Sequence, residues 1–390
     1  MHLAIDIRCL TGGQTTGIPQ YTRSLIEALA KQDPESMFTL FVAGTKSTRN
    51  MVPHFSLPNV RIVEAKIPNR LLSLLFSLKL KAIDDYLPEK ADAWLLPNWD
   101  VVRVKTPYIL TIHDLSFEIF PEFFTFKATA KMKYANIRRL ARNAAHLLSV
   151  SHATKRDLTE LWSIPGNKIS VTPLSVDHKI FSEIPSKEDV RVRAVHDLNR
   201  PYIFALASQE PRKNFLAIIE AYNLFRLKKP IAPPLVLAGA AGWKNKAIAK
   251  AIKASPFAKD IVKLGYVPDA HRPALYRGAS AFIFPSFYEG FGLPPLEAMA
   301  CGTPVIASYT GAVAEVIAEA GILIDPMNVS DINQALHELY NEQDGHELIR
   351  TLKEAGKKRA HQFTQEQTAE KTLIAIKNAI EDANKKSPAS

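Results

Sequence analysis

Short apolar runs alternate with segments of helical periodicity along this sequence, and the whole alternation is gone through twice. Runs at 2–7, 37–43, 60–65, 93–97, 107–112, 146–150 and 169–172 are of strand length, and helical patterns fill 18–31, 70–87, 126–143 and 152–162. The rhythm restarts with a strand at 202–207 and a helix at 214–228, then strands at 234–239, 261–264, 281–284, 304–306 and 321–324. Near-continuous apolar strands separated by crossover helices build parallel sheets covered on both faces, so two doubly wound α/β domains are expected. A chain of 390 residues also exceeds what one hydrophobic core holds. The polar, weakly periodic stretch between Pro173 and Pro201 places a linker at 181–200, with one domain over 1–180 and the other over 201–363. Residues 364–390 close the chain with an amphipathic helix carrying Ala369, Leu373, Ile376 and Ile380 on one side, expected to pack back on the first domain.

Charge and cysteine content narrow the class. The two cysteines, Cys9 and Cys301, stand far apart and offer neither a disulfide framework nor metal-ligand spacing, which suits a reducing cytoplasm. The start, Met1 to Asp6, reads as a first strand rather than a signal peptide. The leucine-rich run from Leu71 to Leu80 is broken by Ser73, Ser77 and Lys79 and is too short to span a bilayer. The net charge of +10 calls for an anionic partner, and about +7 of it falls in residues 1–180. Basic residues gather as Lys127, Lys131, Lys133, Arg138, Arg139 and Arg142, and as Arg70, Lys79 and Lys81 around the leucines. No zinc finger, RNP or arginine-rich arm accompanies them, so nucleic acid is not the expected partner. An anionic membrane surface or a phosphorylated substrate is.

The stretch from Phe284 to Met299 places two carboxylates, Glu289 and Glu297, around a glycine-rich turn that opens a helix. Its glycines allow close backbone approach to a ligand, and the helix start favours a negative group. Carboxylates accept from paired hydroxyls, so the segment suits a ligand with sugars on both sides of a diphosphate. A glutamate near the third position of a helix is also common as a cap, and that reading stays open.

Three further stretches bear on this choice. Gly12-Gly13 and Thr16-Gly17 follow the first strand, but the spacing is not that of a dinucleotide fingerprint and the second strand ends in Ala43-Gly44 without a carboxylate. A nicotinamide or flavin cofactor is therefore not expected. The strand from Tyr108 ends in His113-Asp114, where carboxyl ends of parallel strands face a ligand crevice; His152 sits similarly but opens a helix. Glu210-Pro211-Arg212-Lys213-Asn214 follows the first strand of the second half, and its adjacent cations suit a diphosphate.

Taken together, these stretches resemble the retaining glycosyltransferases of family 4. The most specific match is Glu-Gly-Phe-Gly-Leu-Pro-Pro-Leu-Glu at 289–297, an E-x7-E motif. Glu-Pro-Arg-Lys-Asn at 210–214, Leu237-Ala238-Gly239 with Gly242-Trp243, Gly265-Tyr266-Val267, Thr303 to Ser308 with Glu315, the Gly12-Gly13 loop and Ile112 to Leu115 support it. The resemblance implies the GT-B architecture, two Rossmann-like domains facing across a cleft. It implies that His113, Lys213 and Glu289 carry the chemistry. Arg212 and Lys213 would hold the diphosphate, Glu297 the ribose hydroxyls, and Glu289 with Gly290, Phe291 and Gly292 the donor sugar. Gly13, Tyr266, Val267 and Leu293 would complete the donor site, and Gly12, Gly17, Tyr21 and Asp114 would meet the acceptor. No metal or other cofactor is implied, because cations and helix dipoles take the leaving-group charge. Ala207 and Ser208 depart from the glycine many relatives carry before the phosphate loop, and Ala240-Ala241 from a lysine-rich form.

The expected activity is transfer of a hexose, with GDP-mannose the preferred donor, to a glycan or lipid-diphosphate-linked saccharide in surface-polysaccharide assembly such as lipopolysaccharide. A UDP-glucose or UDP-galactose transferase, a nucleotide-sugar epimerase and a non-catalytic nucleotide-sugar-binding protein are the alternatives. The expected location is the cytoplasm, with peripheral attachment to the inner face of the plasma membrane.

Overall fold

The computed structural model describes residues 1–12, 17–243 and 245–386. Contacts divide the chain into two compact units, Met1–Ser175 with Gln365–Ser390, and Val176–Thr364.

The first unit is built on a seven-stranded sheet: β1 (His2–Asp6), β2 (Met37–Ala43), β3 (Val60–Ala65), β4 (Ala93–Leu96), β5 (Tyr108–Ile112), β6 (His146–Ser149) and β7 (Ile169–Val171). They lie in the order β3-β2-β1-β4-β5-β6-β7, and every pairing is parallel. The chain works outward from β1 to β3, then returns to lay β4 against the other side of β1. The carboxyl ends of β1 and β4 therefore flank the switch point, where open α/β sheets bind ligands. Burial of residues such as Trp94 and Trp162 in one hydrophobic core supplies about 1.5–3 kcal/mol per large side chain. The helix Gln365–Lys386 belongs to this unit and packs on the helix Ile18–Gln32. Its Ala369, Leu373 and Ile376 are buried, and Lys377 pairs with Asp33 at 2.8 Å.

The second unit has six parallel strands, β8 (Tyr202–Leu206), β9 (Leu235–Ala238), β10 (Ile261–Gly265), β11 (Ala279–Phe284), β12 (Val305–Ser308) and β13 (Ile322–Ile324). Their order, β10-β9-β8-β11-β12-β13, puts the switch point between β8 and β11. Tyr202, Phe204, Tyr276 and Phe282 form an edge-to-face aromatic cluster that fills one side of the sheet.

Helices differ from their expected extents where the backbone turns left-handed. The 70–87 pattern becomes the helix Asn69–Ser77 and a short turn Ile83–Tyr86, with Lys79 at φ 59° between them. The 126–143 pattern splits into Phe126–Ala135 and Ile137–Asn143 at Asn136, whose φ is 48° and whose side chain caps Arg139 N. Asparagine tolerates that region and so ends one helix and starts the next. Within the stretch read as a linker lies the helix Lys187–Val195. It packs on the helix Arg272–Gly278, and Asp189 accepts from Arg277 at 2.6 and 2.7 Å.

Candidate active site

At the switch point of the second unit, the turn Pro211–Lys213 follows β8 and the loop carrying Glu289 follows β11. The two are stitched together through Arg212. Its carbonyl accepts from Phe287 N at 3.0 Å, and its guanidinium donates to Tyr288 O at 2.6 Å and to Glu289 Oε2 at 2.8 Å. The second guanidinium terminus reaches Glu210 Oε1 at 3.0 Å. Lys213 Nζ is ion-paired with Glu289 Oε1 and lies 5.5 Å from the centre of the Phe284 ring. Two largely enclosed cations and two buried carboxylates thus interlock at the mouth of the sheet. Asn214, in the left-handed region at φ 56°, ends the turn and anchors it by donating to Pro326 O at 2.7 Å.

Two glycines let neighbouring loops close on this cluster. Gly239, at φ 131° after β9, brings its backbone so near Ala207 that a Cβ there would stand 1.7 Å from the Ala207 carbonyl oxygen. Gly311, at φ 61° after β12, would put a Cβ 2.6 Å from Glu289 O, which also accepts from Ala312 N at 3.0 Å. Only glycine fits either place. Close backbone approach thus holds the crevice alongside the Arg212 and Lys213 side chains.

The electrostatics follow from this packing. Burial pushes the Glu289 carboxyl up, but Arg212 and Lys213 outweigh it and hold the group down at about 2. Burial and the adjacent Arg212 pull the Lys213 ammonium below its ordinary value in spite of Glu289. Glu289 is consequently an anion at neutral pH and has no proton to donate.

Glu297 is placed differently. The helix begins at Leu293, with Gly292 as its N-cap and prolines in its first turn, so Glu297 is the fifth helical residue and closes no capping box. Its carboxylate is 2% exposed. Tyr276 donates to Oε2 at 2.9 Å and Arg272 pairs with Oε1. Burial raises the Glu297 carboxyl despite both partners, and burial beside Glu297 drives the Tyr276 phenol well above its ordinary range. Glu289 and Glu297 therefore sit in separate networks, one with Arg212 and Lys213, the other with Arg272 and Tyr276.

Around them, Gly290, Phe291 and Gly292 are buried and Leu293 is half-buried, with the Phe291 ring edge-on to Phe363 at 5.7 Å. Beyond β10, Val267 is buried whereas Tyr266 is exposed.

In the first unit, His113 stands just beyond β5. Its Nε2 donates to Pro97 O at 2.8 Å, and Tyr21 meets the imidazole edge-on at 5.1 Å. Burial lowers the His113 pKa more than Pro97 and Asp114 raise it, so the ring is neutral at physiological pH. With Nε2 carrying the proton, Nδ1 is left as an acceptor. Asp114 Oδ1 accepts from Ser116 N at 2.9 Å and Ser116 Oγ at 2.6 Å, starting the short helix Ser116–Ile119. Gly12 ends the turn Arg8–Gly12, and Gly17 precedes the helix Ile18–Gln32, in which Tyr21 is buried. Gly13 lies outside the described residues. His152 is the first residue of the helix His152–Trp162, capped by Ser151.

Sequence reasoning passed over Arg272, Tyr276 and the Asp6–Arg8 pair. Arg8 forks onto Asp6 at 2.6 to 3.0 Å just beyond β1, beside the first unit's switch point. Arg272 and Tyr276 are four residues apart, the spacing of one helix face, but nothing in the sequence ties that face to Glu297. Among the described residues no group of three or more histidine, cysteine, aspartate or glutamate side chains is placed to hold a metal ion.

Residues 186–359 match the family described as Glycosyl transferases group 1, and residues 15–180 match Glycosyltransferase Family 4. The sequence is 29% identical to the O-antigen chain mannosyltransferase B of Escherichia coli, over 93% of this chain and 96% of the relative. It is 28% identical to the MMP alpha-(1->4)-mannosyltransferase of Mycolicibacterium hassiacum, over 72% and 67% of the two chains. The fold is shared with sucrose-phosphate synthase of Thermosynechococcus elongatus at a TM-score of 0.78 and 19% identity, over 98% and 100% of the chains. Two Rossmann-like α/β domains with these matches define a glycosyltransferase of the GT-B architecture. It is related to the group 1 and family 4 enzymes, and several of its relatives are bacterial mannosyltransferases.

Proposed function

We propose that this protein transfers mannose from GDP-mannose to a saccharide acceptor, glycan or lipid-linked, in the assembly of a bacterial surface polysaccharide, with retention of anomeric configuration. The observation that carries the reading is the convergence of Arg212 and Lys213 on Glu289 at the β8–β11 switch point. A nucleoside diphosphate needs cations at the carboxyl end of the sheet, and the sugar beyond it needs acceptors for its hydroxyls. The cluster offers both within one buried network. The likeness to an O-antigen mannosyltransferase over nearly the whole of both chains favours mannose and a surface glycan.

Arg212 and Lys213 take the charge that grows on the diphosphate as the glycosidic bond breaks, the kind of preorganised stabilisation that dominates many rate enhancements. Glu289, ionised and held by two cations, positions sugar hydroxyls. It lacks the raised pKa of a glycosidase acid, and Glu297 is enclosed by Arg272 and Tyr276, so the two carboxylates do not form a hydrolase pair. The acceptor hydroxyl then attacks from the face the diphosphate leaves, and a leaving-group oxygen takes its proton. In this reading His113 accepts a sugar or acceptor hydroxyl through Nδ1, and Gly12, Gly13, Gly17, Tyr21 and Asp114 shape the acceptor side. Gly290 to Leu293, Tyr266 and Val267 line the donor, and Glu297 reaches the ribose through carboxylate lone pairs left over from Arg272 and Tyr276.

Thermal shift with GDP, UDP and ADP reports which base is bound, since a ligand selective for the native state raises Tm by mass action. GDP giving the largest shift, followed by NMR of an α-mannoside made from GDP-mannose, is the expected outcome. Stabilisation by UDP alone, or a β-linked product, overturns the donor or the stereochemistry.

A further inference from the structure

The loop from Glu289 to Gly292 is braced from behind along its whole length. At its start the Glu289 carbonyl accepts from Ala312 N at 3.0 Å. At its end Val313 packs against Gly292, with Cγ2 3.6 Å from where a Cβ would stand. Between them the Phe291 ring, 5% exposed, meets Phe363 edge-on at 5.7 Å and 80°. The two outer contacts come from one short helix, Val313–Ile317, and its N-cap Ala312.

Five residues are too few for a helix to hold its place alone, and its last four carbonyls find no partner inside it. Arg359, in the last turn of the helix Gly345–Ala360, supplies partners from outside. Its Nε donates to Val316 O at 2.9 Å, its Nη2 to Glu315 O at 2.7 Å, and its Nη1 to Gln362 Oε1. The same guanidinium lies 4.9 Å from the centre of the Phe363 ring, within cation–π range. Phe363 is fixed in turn through its carbonyl, which accepts from Val176 N at 3.2 Å. One planar side chain therefore steadies both the helix that touches Glu289 and Gly292 and the ring that touches Phe291. Lysine, a point charge without a fork, could not bridge both carbonyls and stack on the ring.

We propose that Arg359, acting through Phe363 and the helix Val313–Ile317, is a positioning residue for sugar transfer that sets the Glu289–Gly292 loop in the geometry receiving the donor sugar. The inference rests on the reading above that this loop holds the sugar. Arg212, Lys213 and Glu297, assigned there to the nucleotide, are fixed by side-chain pairs that include neither Arg359 nor Phe363. Loss of Arg359 therefore separates sugar transfer from nucleotide binding.

The test compares Arg359→Met, Phe363→Ala and Phe363→Tyr in the full chain with Leu352→Val, a core substitution on the same helix as Arg359 that controls for lost stability. Calorimetry with GDP, or with UDP where the wild type prefers it, should give unchanged stoichiometry and an affinity within about threefold of wild type, while kcat with the matching nucleotide sugar falls about 10- to 100-fold in R359M and F363A, as small misplacements of reacting groups do. F363Y keeps the ring and should restore most of the turnover, and L352V should keep it at a comparable loss of Tm. Hydrogen exchange on the unliganded proteins reads the loop without substrate: the amides of Gly290, Phe291 and Gly292 should exchange at least about tenfold faster in R359M. Unchanged exchange there, GDP affinity falling as far as kcat, L352V losing as much turnover as R359M, or F363Y no better than F363A would overturn the positioning role. Faster exchange with full turnover would instead show a braced loop that does not hold the sugar, which overturns the assignment of Glu289 to Gly292 and the inference with it.

Discussion

Arg212 donates to Glu289 Oε2 at 2.8 Å while its neighbour Lys213 pairs with the other oxygen of the same carboxylate. Both sides of that carboxylate are thus neutralised before any ligand arrives. In the proposed donor site, a diphosphate would meet cations already fixed, and Glu289 would keep lone pairs for sugar hydroxyls.

Lys213→Ala should lower kcat by about 10²–10³, the cost of removing one preorganised electrostatic group, with little change in fold. Steady-state kinetics with the preferred nucleotide sugar, alongside circular dichroism, checks it. Turnover within about threefold of wild type would remove Lys213 from the chemistry.

The Glu289 carboxyl titrates at about 2 in the folded protein against an ordinary value of 4.5. A depressed folded pKa gives stability that is fully present above the unfolded value and is lost as pH falls through the folded one. Urea midpoints of wild type and Glu289→Gln should therefore differ most above pH 5 and converge between pH 4.5 and 2. A constant difference across that window would mean that the ion pairs contribute nothing to stability.

Removing Arg272 leaves Glu297 as a buried, partly orphaned charge, so Arg272→Met should destabilise by about 3–5 kcal/mol. Adding Glu297→Gln should recover a large part of that loss. A double-mutant cycle in urea measures the coupling, and additive losses would show that the pair does not act as a unit.

Gly239→Ala places a methyl group against the Ala207 carbonyl in a left-handed backbone. The loop after β8 must shift, and with it Arg212 and Lys213. Nucleoside diphosphate affinity, followed by calorimetry, should fall by at least about tenfold, more than the fall in Tm would suggest. Unchanged affinity would show that the loop tolerates the displacement.

The sheets were legible from the sequence because parallel strands buried on both faces write themselves as continuous apolar runs, and all thirteen strands lie within a residue or two of those runs. Helix breaks were not legible. Lys79 and Asn136 adopt left-handed conformations that periodicity passes over, since apolar spacing continues across them. In the site, Arg212, Lys213 and Glu289 come together because sheet order joins β8 to β11, a relationship deducible from doubly wound topology. The enclosure of Glu297 was not deducible. It depends on how the helix Arg272–Gly278 is rotated, and that is decided by the aromatic packing of Tyr276 on Phe204 and Phe282.

The helix Gln365–Lys386 completes the first unit although it follows the second in sequence. The second unit is one continuous stretch, Val176–Thr364, whereas the first closes only when Ala369, Leu373 and Ile376 reach back across the chain to cover the helix Ile18–Gln32. The amino-terminal part of this polypeptide is begun first, and the unit it starts is completed only by the helix Gln365–Lys386.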